Sequence, residues 1–380
     1  MLPRLLLLPL LVLLAAGCED SAPPLSPKDR AEGYYMKGTA EYLQGKFEDA
    51  LASFEVMKEL SPEDPRLPAA FGEVYLSMGR YADSAAQFEL ALKRDPKRST
   101  NWSRLGFIQA QLGRHDEALS SLRKAVALNA RDFNALEQLA EIHLKKGEKE
   151  AAVRHFALSA AVSPAALKSP LVLRAVEVLT GEGRHAEALA LLEKFAAEGV
   201  RTAELLTALG DQQVRAGQLV AAAATYREAA GKAPRDPTLW ELVGEISARL
   251  DKPGEALSAY RESLRVKDRA VVHVAIARIH LARGDRVAAQ HELDLALESV
   301  SGSDIRELLE LADLLGEMDR KQDALRILSN LSAEPDHAHD VELQLRTARL
   351  ARELKDEGTV RAACARVTGL DAGVKVERCP

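Results

Sequence analysis

Aromatic residues, cysteine and long apolar runs are all scarce in this chain of 380 residues. Phe, Trp and Tyr together make up 4% of the residues, and Ala and Leu dominate instead, which suits thin helical layers in close contact. Three cysteines exclude a densely cross-linked scaffold. No stretch reaches the roughly 18 consecutive apolar residues of a membrane-spanning helix. The formal net charge of −6 leaves no basic footprint, so we expect no nucleic-acid partner.

Catalytic signatures are also missing from the sequence. It contains no Gly-rich phosphate loop, no GxSxG turn, no HExxH and no CxxC. We therefore expect neither enzyme activity nor a cofactor. The one cluster of metal-capable groups is 336–340, where two histidines and two aspartates alternate. Such residues are common and solvated in connecting segments, so His337 and His339 are weak candidates and we predict no metal site.

What the sequence does contain is a small residue that recurs about every 34 positions. The steps between successive members are 34, 34, 34, 36, 34, 34, 33 and 35 residues. A period in this range indicates one supersecondary unit copied along a line, each copy burying its apolar face against its neighbours. The series is Ala50, Ser84, Ala118, Ala152, Ala188, Ala222, Ala256, Ala289 and Ala324.

A single unit, residues 65–98, contains two helical patterns. Apolar or small residues recur at helical spacing up to Gly79, which is free to take the backbone shape that ends one helix. A second periodic stretch follows and ends before Pro96, because proline cannot continue a helix and restricts the residue before it. Each unit is therefore predicted to be helix, tight turn, helix, tight turn.

This pattern resembles the tetratricopeptide repeat (TPR), a helix–turn–helix unit with fixed small and large positions. Repeat position 8, where a small residue is expected, is occupied by Gly38, Gly72, Gly106, Ala140, Val176, Gly210, Gly244, Ala277 and Ala312. The turn residues are Gly45, Gly79, Gly113, Gly147, Gly183, Gly217, Asp251, Gly284 and Asp319. The resemblance covers about nine repeats and implies an all-α fold, a right-handed superhelical solenoid.

The domain boundaries follow from this register. The repeats are predicted to occupy residues 31–338. The register slips by two residues around 165–170, where we expect a longer connection between the fourth and fifth repeats. The charged helical residues in 339–380 are expected to form a degenerate helix pair and tail that cap the open end, because solenoids need a polar end for solubility.

The first residues of the chain have the pattern of a secretory signal. Arg4 is followed by the apolar run 5–16 and then by Gly17 and Cys18. Residues 15–18, Ala-Ala-Gly-Cys, resemble the lipobox of bacterial lipoproteins, which implies removal of residues 1–17 and attachment of acyl chains such as palmitate to Cys18. The alternative is an ordinary cleaved signal with an incidental cysteine. Residues 18–30 contain Pro, Ser and charges with little to bury, and they are predicted to form a flexible tether.

The other two cysteines are Cys364 and Cys379, with roughly fifteen residues between them. An exported chain lies in a compartment that permits disulfides, so these two residues can pair. The alternative is one thiol packed on an apolar helix and one free thiol in a loose tail.

The first helix of each repeat lines the concave groove in TPR proteins, and repeat position 9 faces that groove. Six of the nine residues at position 9 are acidic here. A groove with one sign of charge concentrates partners of the other sign, so we predict partners with basic segments. The alternative is that bases four residues further on neutralise the same helices, as for Glu141, Asp211 and Glu245. The predicted acidic groove residues are Glu137, Glu141, Glu177, Glu204, Asp211, Glu241 and Glu245.

Three aromatic residues occupy groove positions in the early repeats: Tyr35, Tyr42 and Phe107. Exposed aromatic side chains often act as binding anchors. For Tyr35 and Tyr42 we favour the alternative that they cover the open N-terminal edge of the repeats.

The resemblance implies a membrane-anchored scaffold that binds other proteins. Among related lipoproteins such scaffolds assist the assembly of pilus, secretion, motility or outer-membrane machinery. Glu19, and not Asp, follows Cys18, which favours the periplasmic face of the outer membrane over retention at the inner membrane. A docking scaffold for cell-wall enzymes is the alternative with the same features. A small-ligand binder or an enzyme is the least favoured interpretation, because solenoid grooves rarely supply a closed pocket.

Overall fold

The computed structural model describes residues 26–300, 304–337 and 339–370. This part of the chain contains twenty helices, and none of its residues lies in a strand, as the all-α prediction requires. The helices are α1 (Pro27–Leu43), α2 (Phe47–Leu60), α3 (Leu67–Ser77), α4 (Tyr81–Arg94), α5 (Ser99–Gln111), α6 (His115–Leu128), α7 (Phe133–Lys145), α8 (Lys149–Val162), α9 (Ala165–Gly181), α10 (His185–Ala197), α11 (Ala203–Arg215), α12 (Leu219–Lys232), α13 (Pro237–Arg249), α14 (Pro253–Val266), α15 (Ala270–Ala282), α16 (Arg286–Glu298), α17 (Ile305–Glu317), α18 (Lys321–Ala333), α19 (Val341–Glu353) and α20 (Glu357–Leu370).

The helices form pairs, α1 with α2, α3 with α4 and so on, and every pair has the same turn. The predicted turn glycines all have positive φ, between 72° and 78°, and Asp251 and Asp319 take the same conformation with φ of 56° and 64°. After each turn residue, the next N–H donates to the carbonyl five residues earlier, as Arg80 does to Tyr75 at 2.8 Å. This hydrogen bond satisfies a carbonyl at the end of the first helix, so one local motif reverses the chain in each pair.

The last pair, α19 and α20, repeats this geometry. Lys355 has φ of 62°, and the N–H of Asp356 donates to the Ala351 carbonyl at 2.9 Å. The helix pair predicted to follow Asp340 is therefore a tenth pair of the same form, beside the nine repeats counted in the sequence.

Small residues let the two helices of a pair approach closely. The recurring small series is buried throughout, with at most 1% of each residue exposed. At repeat position 8, a methyl group added to Gly72 would lie 2.8 Å from the Phe88 ring, and one added to Gly244 would lie 2.5 Å from the Tyr260 ring. Where the small residue is Ser84, its hydroxyl donates to the Gly72 carbonyl at 2.7 Å. Each glycine thus leaves the room that a large side chain of the second helix fills.

The register slip does not produce the longer connection that the sequence predicts. Helix α9 instead begins at Ala165, directly after Pro164, and runs for 17 residues. Pro170 lies inside it, in its second turn, where only one carbonyl loses its partner. The extra residues are absorbed as helix because this stretch is rich in Ala and Leu.

The start of α1 also differs from the prediction. The tether was expected to extend to residue 30, but α1 begins at Pro27. The Ser26 hydroxyl accepts a hydrogen bond from the Asp29 N–H at 3.1 Å, and Pro27 occupies the first helical position, where a missing N–H costs nothing. The capping residues therefore start the helix four residues early.

The chain divides into two compact units, residues 1–162 and 163–380. Unit 1, as far as it is described, holds α1 to α8 around a core that includes Phe54, Phe71, Phe88, Leu122 and Leu139. Unit 2 holds α9 to α20 around a core that includes Tyr226, Val243, Tyr260, Leu293 and Leu311. Within the described residues, no helix is both long and apolar enough to span a bilayer.

Candidate functional site: the face of the first helices

Within each unit, the first helices of successive pairs lie side by side, as α5 does with α7 and α13 with α15. Three cavities open between them, with volumes of about 400 to 460 Å³. The walls of these cavities carry many of the predicted groove residues. We call the surface formed by the exposed sides of the first helices the groove face, and describe it separately in each unit.

The two tyrosines at the start of unit 1 are held by neighbouring side chains. The Arg66 guanidinium lies 4.1 Å from the centre of the Tyr35 ring, which also packs on Phe54. The Tyr42 hydroxyl is 3.2 Å from the Ser77 hydroxyl, and its ring packs on Phe47. Both rings are half-buried. This arrangement favours a covering role over that of an exposed anchor.

Phe107 lines a cavity of about 430 Å³ between α3, α5 and α7. Arg104, on the same wall, donates to Glu73 of the preceding pair at 2.8 Å. Burial raises the pKa of Glu73, and the Arg104 guanidinium opposes that shift. The half-buried Phe107 ring is thus flanked by an ion pair that joins two repeats.

Glu137 and Glu141 lie half-buried on α7, as predicted for groove positions. Each interacts with another group of the chain, so neither carboxylate is free.

Most of the predicted acidic residues of unit 2 have basic partners. Glu177 is 2.9 Å from Arg174 on its own helix. Glu245 is 3.8 Å from Arg249, the partner that the spacing of four predicts. Both glutamates remain more than half exposed. Glu245 pairs as the self-paired alternative predicts, whereas the base beside Glu177 lies three residues before it on α9, a pair that this alternative did not include.

Glu241 forms an ion pair with an arginine that lies outside its own helix. Arg269, at the start of α15, donates to both Glu241 oxygens at 2.9 Å and also binds Glu307 of α17 at 2.5 Å. Burial raises the pKa of Glu241, the Arg269 charge opposes that shift, and the nearby Glu307 adds to it. Arg269 therefore ties three first helices together, and Glu241 has a structural role in that connection.

Glu204 and Asp211 lie together on an acidic part of the groove face of unit 2. They share a cavity of about 460 Å³ between α11 and α13 with a third carboxylate, Asp236. Asp236 caps α13 by accepting the Thr238 N–H at 2.9 Å. The other wall residues are Ala, Leu and Thr, so the lining, as far as the chain is described, includes three acids and no basic side chain.

Asp211 accepts a hydrogen bond from the Tyr226 hydroxyl at 2.6 Å. That tyrosine ring lies under Gly210, within 2.4 Å of where a methyl group on the glycine would be. Burial, and next the hydrogen bond to Asp211, raise the pKa of Tyr226. The phenol therefore keeps its proton and donates it in a hydrogen bond to Asp211 at the wall of the cavity.

The weak metal candidates lie in the connection between α18 and α19. His337 is 3.9 Å from Glu334, and no group of three or more His, Cys, Asp or Glu side chains in the described residues is placed to hold a metal. His339 is exposed. Cys364 is half-buried on α20, while its predicted partner Cys379 and the predicted lipidation site Cys18 lie outside the described residues. The pairing and the lipidation stay predictions.

Several residues of the site were missed because they come from other segments of the chain. Asp236 and Arg269 lie in the short connections before α13 and α15. Arg269 is 28 residues from Glu241 and 38 from Glu307, far beyond the spacing of four at which an acid and a base meet on one helix. Charges about one repeat apart in the sequence are the signal that points to such pairs.

The repeated helix pairs, the shared turn and the side-by-side first helices define a protein built from helical repeats. A family model described as "Tetratricopeptide repeat" matches residues 70–129, 109–166, 173–237 and 207–271, which together span just over half of the chain. The chain belongs to the tetratricopeptide repeat family, as the sequence pattern predicts.

Solved structures of repeat proteins are similar to this chain at low sequence identity. Yeast Tom70 is 15% identical with a TM-score of 0.38, and the match covers 93% of this chain and 94% of that one. A thermophilic TPR protein of Thermus thermophilus is 19% identical with a TM-score of 0.32, covering 57% and 98%. A TPR protein of Parabacteroides merdae is 15% identical with a TM-score of 0.34, covering 77% and 99%. No curated protein sequence matches the chain.

Membership of this family fixes the broad class of function. Tetratricopeptide repeats generally form scaffolds for protein–protein interaction and are generally not enzymes. The chain is therefore a repeat scaffold for protein partners.

Proposed function

We propose that this chain is a lipid-anchored scaffold of the bacterial cell envelope that binds basic segments of protein partners on its groove face. In this role it holds a partner during the assembly of an envelope machine such as a pilus, a secretion or motility apparatus, or an outer-membrane complex. The resemblance of residues 15–18 to a lipobox supports the anchor, and Glu19 after Cys18 supports the periplasmic face of the outer membrane.

The observation that carries this proposal is the cavity of Glu204, Asp211 and Asp236. Three carboxylates in one wall, with no base among the described residues of the lining, give a negative potential at that wall. A lysine or arginine side chain of a partner would be attracted to it. The attraction must weaken as salt is added, because exposed charges more than about 10 Å apart are screened at 0.1 M ionic strength.

The most informative test combines location and partner. The full-length chain and a Cys18→Ser variant are expressed in their bacterial host, crosslinked in intact cells, and purified from the membrane and soluble fractions. We expect the unaltered chain in the membrane fraction with a crosslinked protein that has a basic segment. The Cys18→Ser form should lose the membrane fraction, because two acyl-bearing groups are needed for stable anchoring.

Two results would contradict the proposal. If Cys18→Ser leaves the chain in the membrane fraction, the lipid anchor is wrong. If the crosslinked partners contact the chain only through acidic or neutral segments of their own, the proposal that the groove face binds basic segments is wrong.

A further inference from the structure

Tyr260 lines the cavity of the groove face between α13 and α15. Tyr260 is 6% exposed, and its ring lies under Gly244, where an added methyl group would be 2.5 Å from the ring. Because Gly244 has no side chain, the ring passes beneath α13, and the tyrosine lines a cavity of about 400 Å³ between α13 and α15. Although the ring is buried, the Tyr260 hydroxyl is accessible to solvent from this cavity, and it makes no hydrogen bond within the described residues, so it offers a donor and an acceptor there.

Tyr226, the equivalent tyrosine of the preceding pair, has the hydrogen bond that Tyr260 lacks. Tyr226 has the same position under Gly210, and its hydroxyl donates to Asp211, the residue after that glycine. In the next pair the residue after the glycine is Glu245, which is turned toward Arg249 at 3.8 Å. The hydrogen bond that Asp211 supplies internally in one repeat is therefore left open in the next.

The wall around the Tyr260 hydroxyl has separate polar and apolar parts. Its charged residues are Glu241, Glu245, Glu310 and Arg278, and Arg278 and Glu310 are 4.0 Å apart. Val271, Val272 and Ala275 of α15 supply an apolar side. Burial raises the pKa of Tyr260, and Glu245 and Glu241 raise it further, which is the effect of a negative potential at the hydroxyl.

We propose that this cavity is an anchoring subsite for one arginine side chain of the partner. The guanidinium lies between Glu245, Glu310 and the Tyr260 hydroxyl, and the methylene stem packs on Val271 and Ala275. Arginine fits better than lysine because its planar fork donates to several acceptors at once, and because its stem buries apolar surface. This inference rests on the proposed function and adds the identity of one partner residue.

The test uses the full chain and short synthetic peptides in place of the unidentified partner. Four acetylated, amidated and fluorescently labelled nine-residue Gly/Ser peptides carry at their centre arginine, lysine, citrulline or serine. Citrulline has the shape of arginine without its charge. Binding to the unaltered chain is followed by fluorescence anisotropy, and we expect the arginine peptide to bind at least about tenfold more tightly than the citrulline peptide, as for a charged hydrogen-bonding partner.

Two variants remove the subsite with little disturbance. Tyr260→Phe keeps the ring that fills the space under Gly244, and Glu245→Gln with Glu310→Gln keeps the shape of the wall. We expect Tyr260→Phe to weaken the arginine peptide about tenfold and the double variant to remove its advantage over citrulline. The matched controls are Tyr81→Phe on α4 and Glu262→Gln on α14, which lie outside the cavity lining and should leave binding unchanged.

Each other outcome overturns a distinct claim. If the two variants bind the arginine peptide as the unaltered chain does, while Glu204→Lys with Asp211→Lys loses it, the subsite is wrong and the groove-face function stands. Equal binding of the lysine peptide refutes the assignment to arginine. If the unaltered chain does not distinguish arginine from citrulline, both the subsite and the preference for basic segments are wrong.

Discussion

At the scale of single residues, the packing of a helix pair depends on the small residue at repeat position 8. Gly72 and Gly244 each face a ring of the second helix, Phe88 and Tyr260, and neither glycine has room for a methyl group. The same close approach brings the tyrosine ring beneath α13 to the cavity wall. Because Gly244 has no side chain, the Tyr260 ring both fills the core and reaches the groove face.

Gly72→Ala should lower the stability of unit 1. The new methyl group would lie 2.8 and 2.9 Å from two carbons of the Phe88 ring, and Phe88 is 1% exposed, so the ring has little freedom to move. We expect a loss of about 1–3 kcal/mol, measured as a lower urea midpoint by circular dichroism.

The matched control for Gly72→Ala is Gly33→Ala on α1. Gly33 lies within the helix, and nothing lies within 4 Å of an added methyl group. Alanine there should raise stability by up to about 1 kcal/mol through helix propensity. If both variants shift the midpoint in the same direction, the close-packing account of position 8 is wrong.

At the scale of helices, arginines in the connections join one repeat to the next. Arg66, before α3, binds Asp64 at 2.9 Å and Glu32 of α1 at 2.7 Å while its guanidinium covers the Tyr35 ring. The hydrogen bond from Arg66 is the main cause that holds the pKa of Asp64 below its ordinary value of 3.8. It is also the main cause that lowers the pKa of Glu32.

Arg66→Met should reduce stability in a pH-dependent way. A carboxylate whose pKa is lowered by folding adds stability above its unfolded pKa, and this contribution is lost as the pH falls through the lowered value. The unaltered chain should therefore be more stable than Arg66→Met at neutral pH, and this difference in stability should shrink as the pH falls below the ordinary pKa values of 4.5 for Glu32 and 3.8 for Asp64.

The measurement for Arg66→Met is the urea midpoint at a series of pH values. Arg98→Met is the control, because Arg98 lies before α5, is itself exposed and is 3.5 Å from Asp95. A gap for Arg66→Met that stays constant with pH would show that the arginine acts through packing on Tyr35 and not through the carboxylates.

The helices and turns were predictable because each one is fixed by local chemistry that recurs. Three kinds of residue recur in the sequence at a constant period. They are a glycine or aspartate at positive φ, a small residue at the helix contact and a proline after the second helix. The partners of the acidic residues were less predictable, because Arg269 lies one repeat away from Glu241 and its choice of partner depends on how the repeats stack. The added turn at the start of α9 was missed because Pro170 suggested a connection.

At the scale of the whole molecule, the chain is a series of ten similar pairs in two compact units, as far as the structure describes it. The groove face of unit 2 differs along its length. It is purely acidic around Glu204 and Asp211, mixed around Tyr260, and neutralised by arginine at Glu241. The predicted acidic residues of unit 2 therefore differ in their surroundings, and within the described residues the wall between α11 and α13 has carboxylates without a base in its lining.

The most direct test of the central claim is capture of the basic partner by a chain with reversed charge in that cavity. Glu204→Lys with Asp211→Lys keeps the Asp236 cap and the Arg269 ion pairs, and the control Glu193→Lys with Glu262→Lys makes the same change of charge on the second helices α10 and α14. The account predicts that reversal in the cavity reduces partner recovery from crosslinked membranes at least about tenfold, while the control recovers it in full. Equal recovery by both double variants would contradict the claim that the acidic part of the groove face binds the partner.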